Sequence, residues 1–234
     1  MNKIARFLPG IILSFFIYLS SSQTQVLAEE PKMAGLQKAY FAGGCFWCIE
    51  GPFEKIEGVT GVDSGYANSK VSNPTYEQVS GGNTGAYEAV EVVYDPTKIG
   101  FEDLLNVYWT LIDPTQTDGQ FGDRGSQYLT AIFYTTDEEK KVAEESKKIL
   151  EESKIFKKPV TVSVVPFQNW TRAEEYHQDY YKKNAAHYNS YSIGSGRKPF
   201  LDKTWNKKAY CPIRRFTPEK LKETLNAART QNAP

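Results

Sequence analysis

The chain has 234 residues, of which 40% are hydrophobic and 24% charged, and its formal net charge is zero. That size and apolar content suffice for one well-filled core, and the even charge gives no footing for a polyanionic partner such as a nucleic acid. Three cysteines cannot all pair within one chain, so this is not a disulfide scaffold, and at least one thiol stays free.

Residues 1–28 read as a secretory signal. Lys3 and Arg6 open it, Ile11 to Leu19 is apolar, and Val26-Leu27-Ala28 has the pattern of a small-residue cleavage site. The apolar run is short for a membrane span, so the expectation is cleavage and export to a periplasmic or extracellular space, with no stable membrane insertion afterwards. Left uncleaved, the same run would act as a membrane anchor. Residues 29–37 form a polar linker, and 38–195 hold the folded domain. Residues 196–234 form a C-terminal extension that is basic, then helical, from Lys207 and carries Cys211.

Lys38 to Ala42 predicts a strand, closed by Gly43-Gly44. Cys45 to about Ile56 predicts a helix that Pro52 would disturb. Val59 to Tyr66 predicts a second strand, followed by a loop through Thr75. Tyr87 to Tyr94 alternates, with Val90, Val92 and Tyr94 set against Glu88, Glu91 and Asp95, and predicts a third strand. Phe101 to Ile112 has apolar residues at helical spacing. Asp113 to Ser126 is a long loop, a length that more often serves function than not. Gln127 to Thr135 predicts a strand, Thr136 to about Lys154 a charged helix and Val160 to Phe167 a strand. Arg172 to about His187 predicts an amphipathic surface helix. The βαββαβ order points to an α+β fold, a two-layer α/β sandwich with a ferredoxin-like (split βαβ) core and a C-terminal extension. A thioredoxin-like fold also uses a strand, a CxxC and a helix, and periodicity does not separate the two.

The chemistry concentrates in Gly44-Cys45-Phe46-Trp47-Cys48. A thiol placed where a strand ends and a helix begins tends to ionise, because the helix N-terminus favours negative charge. Cys45 is then a nucleophile, and Cys48, one turn on, can close a disulfide with it. A zinc site needs four N or S ligands, and Cys211 and two histidines lack ligand spacing. Phe46 and Trp47 can wall off an apolar slot for a small alkyl group, or they can simply pack. Glu88, if buried, has a raised pKa and can donate a proton; as an exposed strand carboxylate it would do neither. Tyr76 and Tyr128 can supply hydroxyls, and Asp123 is otherwise a turn former. A Cys45–His177 hydrolase is a weaker reading.

Together these residues resemble the peptide methionine sulfoxide reductases of the A class. Four ordered blocks carry the likeness: Gly44-Cys45-Phe46-Trp47; Asn73 to Val79 with Gly82 to Val90; Asp123 to Tyr128 with Ala131 to Tyr134; and Glu174 to Tyr180. The resemblance implies an α/β sandwich with a ferredoxin-like core. It implies reduction of the S epimer of methionine sulfoxide, free or in proteins, with a thioredoxin-like dithiol as electron source and no bound cofactor or metal. By position it makes Cys45 the nucleophile, Glu88 the acid, Phe46 and Trp47 the methyl pocket, and Tyr76, Asp123 and Tyr128 polar pocket groups. Cys48 within the CFWC motif is the expected resolving thiol, and Cys211 the alternative. Two departures stand out: Ile112 replaces a histidine common in the family, and Phe121 is expected to reshape the pocket rim.

Overall fold

The computed structural model describes residues 35–205. The expected signal segment, the first six linker residues and the extension beyond 205, with Cys211, lie outside the described residues.

The elements run β1 (Gln37–Gly43), α1 (Trp47–Glu54), β2 (Val59–Ala67), α2 (Tyr76–Ser80), β3 (Tyr87–Tyr94), α3 (Phe101–Trp109) and a two-strand hairpin of β4 (Gly119–Gln120) and β5 (Asp123–Arg124). A 3₁₀ turn (Ser126–Tyr128) leads into β6 (Thr130–Tyr134), then α4 (Asp137–Glu152), β7 (Ser163–Pro166), β8 (Trp170–Arg172), α5 (Tyr180–Lys183), α6 (Ala185–Gly194) and α7 (Arg197–Trp205). Among the described residues the main sheet has six strands in the order β7-β6-β1-β3-β2-β8. Its inner four, β6-β1-β3-β2, are antiparallel neighbours, and each helical link skips one strand. That is the double split βαβ of the ferredoxin-like core expected above. β7 joins β6 in parallel, and β8 joins β2 antiparallel.

Alternation along the strands divides the sheet into two faces. Ala39 and Phe41 join the larger core, with Phe53, Leu104, Leu105, Tyr108, Ile149 and Leu150 from the helices. Phe41 stacks on Phe53, Tyr108 and Phe101, with centroids 5.1, 5.3 and 5.9 Å away. Each fully buried side chain of this kind contributes roughly 1.5–3 kcal/mol. Tyr40, Ala42 and Phe133 face the other way, where Tyr40 stacks on Phe167 at 3.9 Å and donates to Glu91 at 2.6 Å.

Four expectations need correction. Helix α1 starts at Trp47, with Phe46 as its N-cap residue, and it continues past Pro52 to Glu54. Glu88 does not share a face with Glu91: period two puts it with Val90 and Val92, on the face the helices bury. The stretch Arg172 to His187 is not one surface helix. Its first part is turns, because side chains take over its backbone groups: the Gln178 amide binds Ser64 N, Ser64 O and Ala173 O, and Glu50 accepts the Asp179 N–H. Asp179 itself is left-handed, at φ 54°. Phe121 is buried against Phe200 rather than lying at a rim.

Candidate active site

β1 delivers the CFWC segment. Its last residue, Gly43, pairs with Thr130 at the start of β6. Gly44 then takes φ +80°, and a Cβ there would lie 2.4 Å from Gln120 Cβ. Only glycine tolerates both, so the turn that aims Cys45 depends on it. Gln120 is locked in turn, its amide exchanging two hydrogen bonds with the Asp113 backbone at 2.8 and 3.0 Å. The Cys45 carbonyl accepts the Cys48 N–H at 3.1 Å, closing one turn between the two cysteines. Both are free thiols and buried, with Cys45 5% exposed.

β3 brings Glu88. The register that pairs Phe41 with Val90 carries the start of β3 alongside the Gly43–Cys45 turn. Glu88 is 2% exposed and accepts the Phe46 N–H at 3.2 Å. Burial pushes its carboxyl up to about 8, against the opposing effect of that hydrogen bond. A carboxyl of this kind is protonated at neutral pH and can act as an acid.

The hydroxyls arrive from two loops. Tyr76 opens α2, which Thr75 caps through a reciprocal box with Gln78. Glu174 fixes it further, accepting Tyr76 N–H at 2.9 Å and the Tyr66 hydroxyl at 2.7 Å. Tyr128 ends the 3₁₀ turn before β6. Both tyrosines are half-buried and feel the charges of Glu88, Cys45 and Asp123, and burial pushes both phenols up. They remain protonated donors.

Phe46 is buried and Trp47 half-buried. The Trp47 indole stacks on Tyr180 at 3.8 Å, meets Tyr191 edge-on, and donates its N–H to His177 Nδ1 at 3.1 Å. His177 is 1% exposed and is packed on by Phe46, Tyr76 and Tyr176. It is therefore a buried acceptor for the tryptophan N–H and not a surface residue. Cys45, Phe46 and Glu88 are thus buried, and Trp47, Tyr76, Asp123, Tyr128 and Tyr191 near them are half-buried.

The two thiols titrate together. Burial raises Cys45 well above the ordinary thiol range, reinforced by the Cys48 and Glu88 charges. Cys48 is lowered, because it accepts a hydrogen bond from Cys45 and lies near the Arg197 cation, against the effect of burial. Burial therefore works against the helix-terminus effect at Cys45, and the Arg197 cation favours charge at Cys48.

Sequence reasoning missed two residues here. Tyr191, on α6, donates to the Asp123 carboxylate and hydrogen-bonds the Cys45 thiol. Arg197, at the head of α7, donates to Gly43 O and Leu111 O. Nothing local in the sequence marks Tyr191 as the tyrosine that returns to the thiol. One metal-type group occurs among the described residues, Glu50, Glu54 and Asp179. Lys182 already sits in it, 2.6 Å from Glu54 and 2.7 Å from Asp179, and no cysteine belongs to it.

A family profile described as Peptide methionine sulfoxide reductase matches residues 37–209. The chain is 52% identical over 172 residues to peptide methionine sulfoxide reductase MsrA of Halalkalibacterium halodurans, covering 74% of this chain and 98% of that protein. It is 49% identical over 167 residues to peptide methionine sulfoxide reductase MsrA 2 of Staphylococcus aureus, covering 71% of this chain and 94% of that one. Among solved structures it is similar to reduced Mxr1 of Saccharomyces cerevisiae, with TM-score 0.60 and 29% identity over 64% of this chain and 86% of that one. It is also similar to methionine sulfoxide reductase A of Corynebacterium diphtheriae, with TM-score 0.58 and 30% identity over 67% and 77%.

Proposed function

The chain belongs to the peptide methionine sulfoxide reductase family, and from that premise we propose how its own residues carry out the reaction. The protein is an oxidoreductase that reduces methionine S-sulfoxide, free or in proteins, to methionine by thiol chemistry. The observation that carries the mechanism is the buried Glu88 carboxyl, protonated up to about 8 and bonded to the turn that presents Cys45.

The sulfoxide sulfur is electrophilic and its oxygen basic. Phe46 and Trp47 hold the ε-methyl group against the thiols, excluding water. The two thiols share one proton; with it on Cys48, the Cys45 thiolate attacks the substrate sulfur. Glu88 gives its proton to the oxygen, while Tyr76 and Tyr128 donate hydrogen bonds to it. Oxygen transfers to Cys45, which becomes a sulfenic acid, and methionine leaves. Cys48 then attacks the sulfenic sulfur, a disulfide forms, and water departs. Its advantage over Cys211 is tethering: one helical turn closes with little loss of chain entropy.

A thioredoxin-like dithiol resets the enzyme by exchange. The signal-like residues 1–28 support export, so that the dithiol acts in the periplasm or outside the cell. The protein's sulfur supplies both electrons of each turnover, so the reaction calls on no metal or organic cofactor. Reduction of an aryl methyl sulfoxide with dithiothreitol tests the reaction class. A disulfide exchanger or a hydrolase built on the same cysteines would leave the sulfoxide untouched.

A further inference from the structure

Arg197 is 2% exposed. Its guanidinium donates to Leu111 O at 2.7 Å and to Gly43 O at 2.8 Å, and it lies 4.6 Å from the centroid of Phe121. Among the described residues no carboxylate pairs with it. A buried cation without a counter-ion is costly, and two carbonyls with an aromatic face offset only part of that cost. The remaining positive field points at the Gly43–Gly44 turn, where a Cβ on Gly44 would lie 2.8 Å from Arg197 Nη2. That turn leads directly into the first turn of α1, where the Cys48 N–H bonds the Cys45 carbonyl at 3.1 Å.

The titratable groups that interact electrostatically with Cys48 come from five segments. They are Cys45 from the turn, Glu88 from β3, Asp123 from β5, Tyr191 from α6 and Arg197 from α7. Of these, Arg197 alone is cationic. Holding α7 to β1 would need only the hydrogen bonds to Gly43 and Leu111. A charge aimed at a thiol that must ionise adds something else.

We propose that Arg197 is the counter-charge for Cys48, a positioning residue that favours the Cys48 thiolate in the step that resolves oxidised Cys45. This rests on the sulfoxide reduction proposed above. After methionine leaves, Cys45 is a sulfenic acid and Cys48 holds the shared proton. Cys48 gives up that proton and attacks the sulfenic sulfur; the S–S bond forms and the S–O bond breaks. The oxygen leaves with the proton as water. The Cys48 sulfur is oxidised and the Cys45 sulfur reduced, so no outside oxidant or reductant enters. Arg197 favours the ionised Cys48 and thereby selects it over a distant thiol.

The test uses the full chain with Cys45→Ser and Cys211→Ser, which leaves Cys48 as the single cysteine. Its thiolate absorbance is titrated with Arg197, with Arg197→Lys and with Arg197→Gln, and melting of each variant reports folding. Arg197→Gln keeps donors without charge, and Arg197→Lys keeps charge without the fork. The expected result is a midpoint raised by about one pH unit in Arg197→Gln and by less than half of that in Arg197→Lys. In chains with all cysteines, quenched single turnovers then show Arg197→Gln slowing disulfide formation about tenfold more than methionine release. An unmoved midpoint in Arg197→Gln overturns the proposal. So does a folded Arg197→Lys whose midpoint rises by about one pH unit or more, an outcome that can be read even if Arg197→Gln fails to fold. If the wild type releases no methionine, the reductase reading fails, while the titration still decides the role of Arg197.

Discussion

The Glu88 carboxylate accepts the backbone N–H of Phe46 at 3.2 Å, so the proposed acid is tied to the residue that follows the proposed nucleophile. The bond joins β3 to the head of α1 and fixes the carboxyl beside the turn that presents Cys45. Burial, not a neighbouring charge, is the main cause of its raised pKa. The acid is thus made by the fold itself, on the face of β3 that the helices cover.

Replacing Glu88 by Gln removes the proton and keeps the shape. Turnover at neutral pH is expected to fall by ~10²–10⁴-fold. In the wild type, the dependence on the acid gives a rate that declines as pH rises through about 8. A stability effect accompanies it. The folded carboxyl titrates at about 8 against an ordinary 4.5, so its contribution to stability is full below 4.5 and lost as pH rises through 8. Glu88→Gln is always neutral and should gain on the wild type across that window, by on the order of a few kcal/mol, in melts at paired pH values.

With Cys48→Ser, one methionine per enzyme should be released, after which turnover with a dithiol reductant slows strongly. Intact mass and peptide mapping of the wild type after turnover without reductant should find Cys45 linked to Cys48. A Cys45–Cys211 link with Cys48 free would assign resolution to the extension instead.

His177→Phe keeps the buried volume and removes the acceptor for the Trp47 indole. The indole should lose its fixed orientation against the methyl slot. KM is expected to rise about three- to tenfold, in line with loss of one buried hydrogen bond, with a smaller change in kcat. A cysteine hydrolase would instead lose all turnover.

Gly44→Ala forces a Cβ into Gln120 at a left-handed φ. Destabilisation of about 2 kcal/mol or more is expected in denaturant unfolding, with activity lost beyond what stability explains.

Much of this was legible in the chain. The βαββαβ order pointed to the core because the turn residues between its elements are strong signals. The CFWC segment, Tyr76, Asp123, Glu88 and Tyr128 come together although they lie on separate elements, and their ordered blocks announced it. What the sequence could not show was set by long-range contacts. The segment 172–187 has helical composition, but Gln178 and Glu50 take its backbone bonds and turn it into a loop. His177 looked like a surface residue because its four aromatic neighbours are distant in the chain or follow no helical period. Arg197 looked like part of an extension, and its partners, Gly43 and Leu111, are 154 and 86 residues away.

The central claim is that Cys45 reduces the S epimer of methionine sulfoxide. A chirally resolved assay of free methionine sulfoxide with dithiothreitol, run on the wild type and on Cys45→Ser, tests it most directly. The account predicts loss of the S epimer alone with the wild type and no loss with Cys45→Ser. Consumption of the R epimer, or undiminished activity in Cys45→Ser, would contradict it.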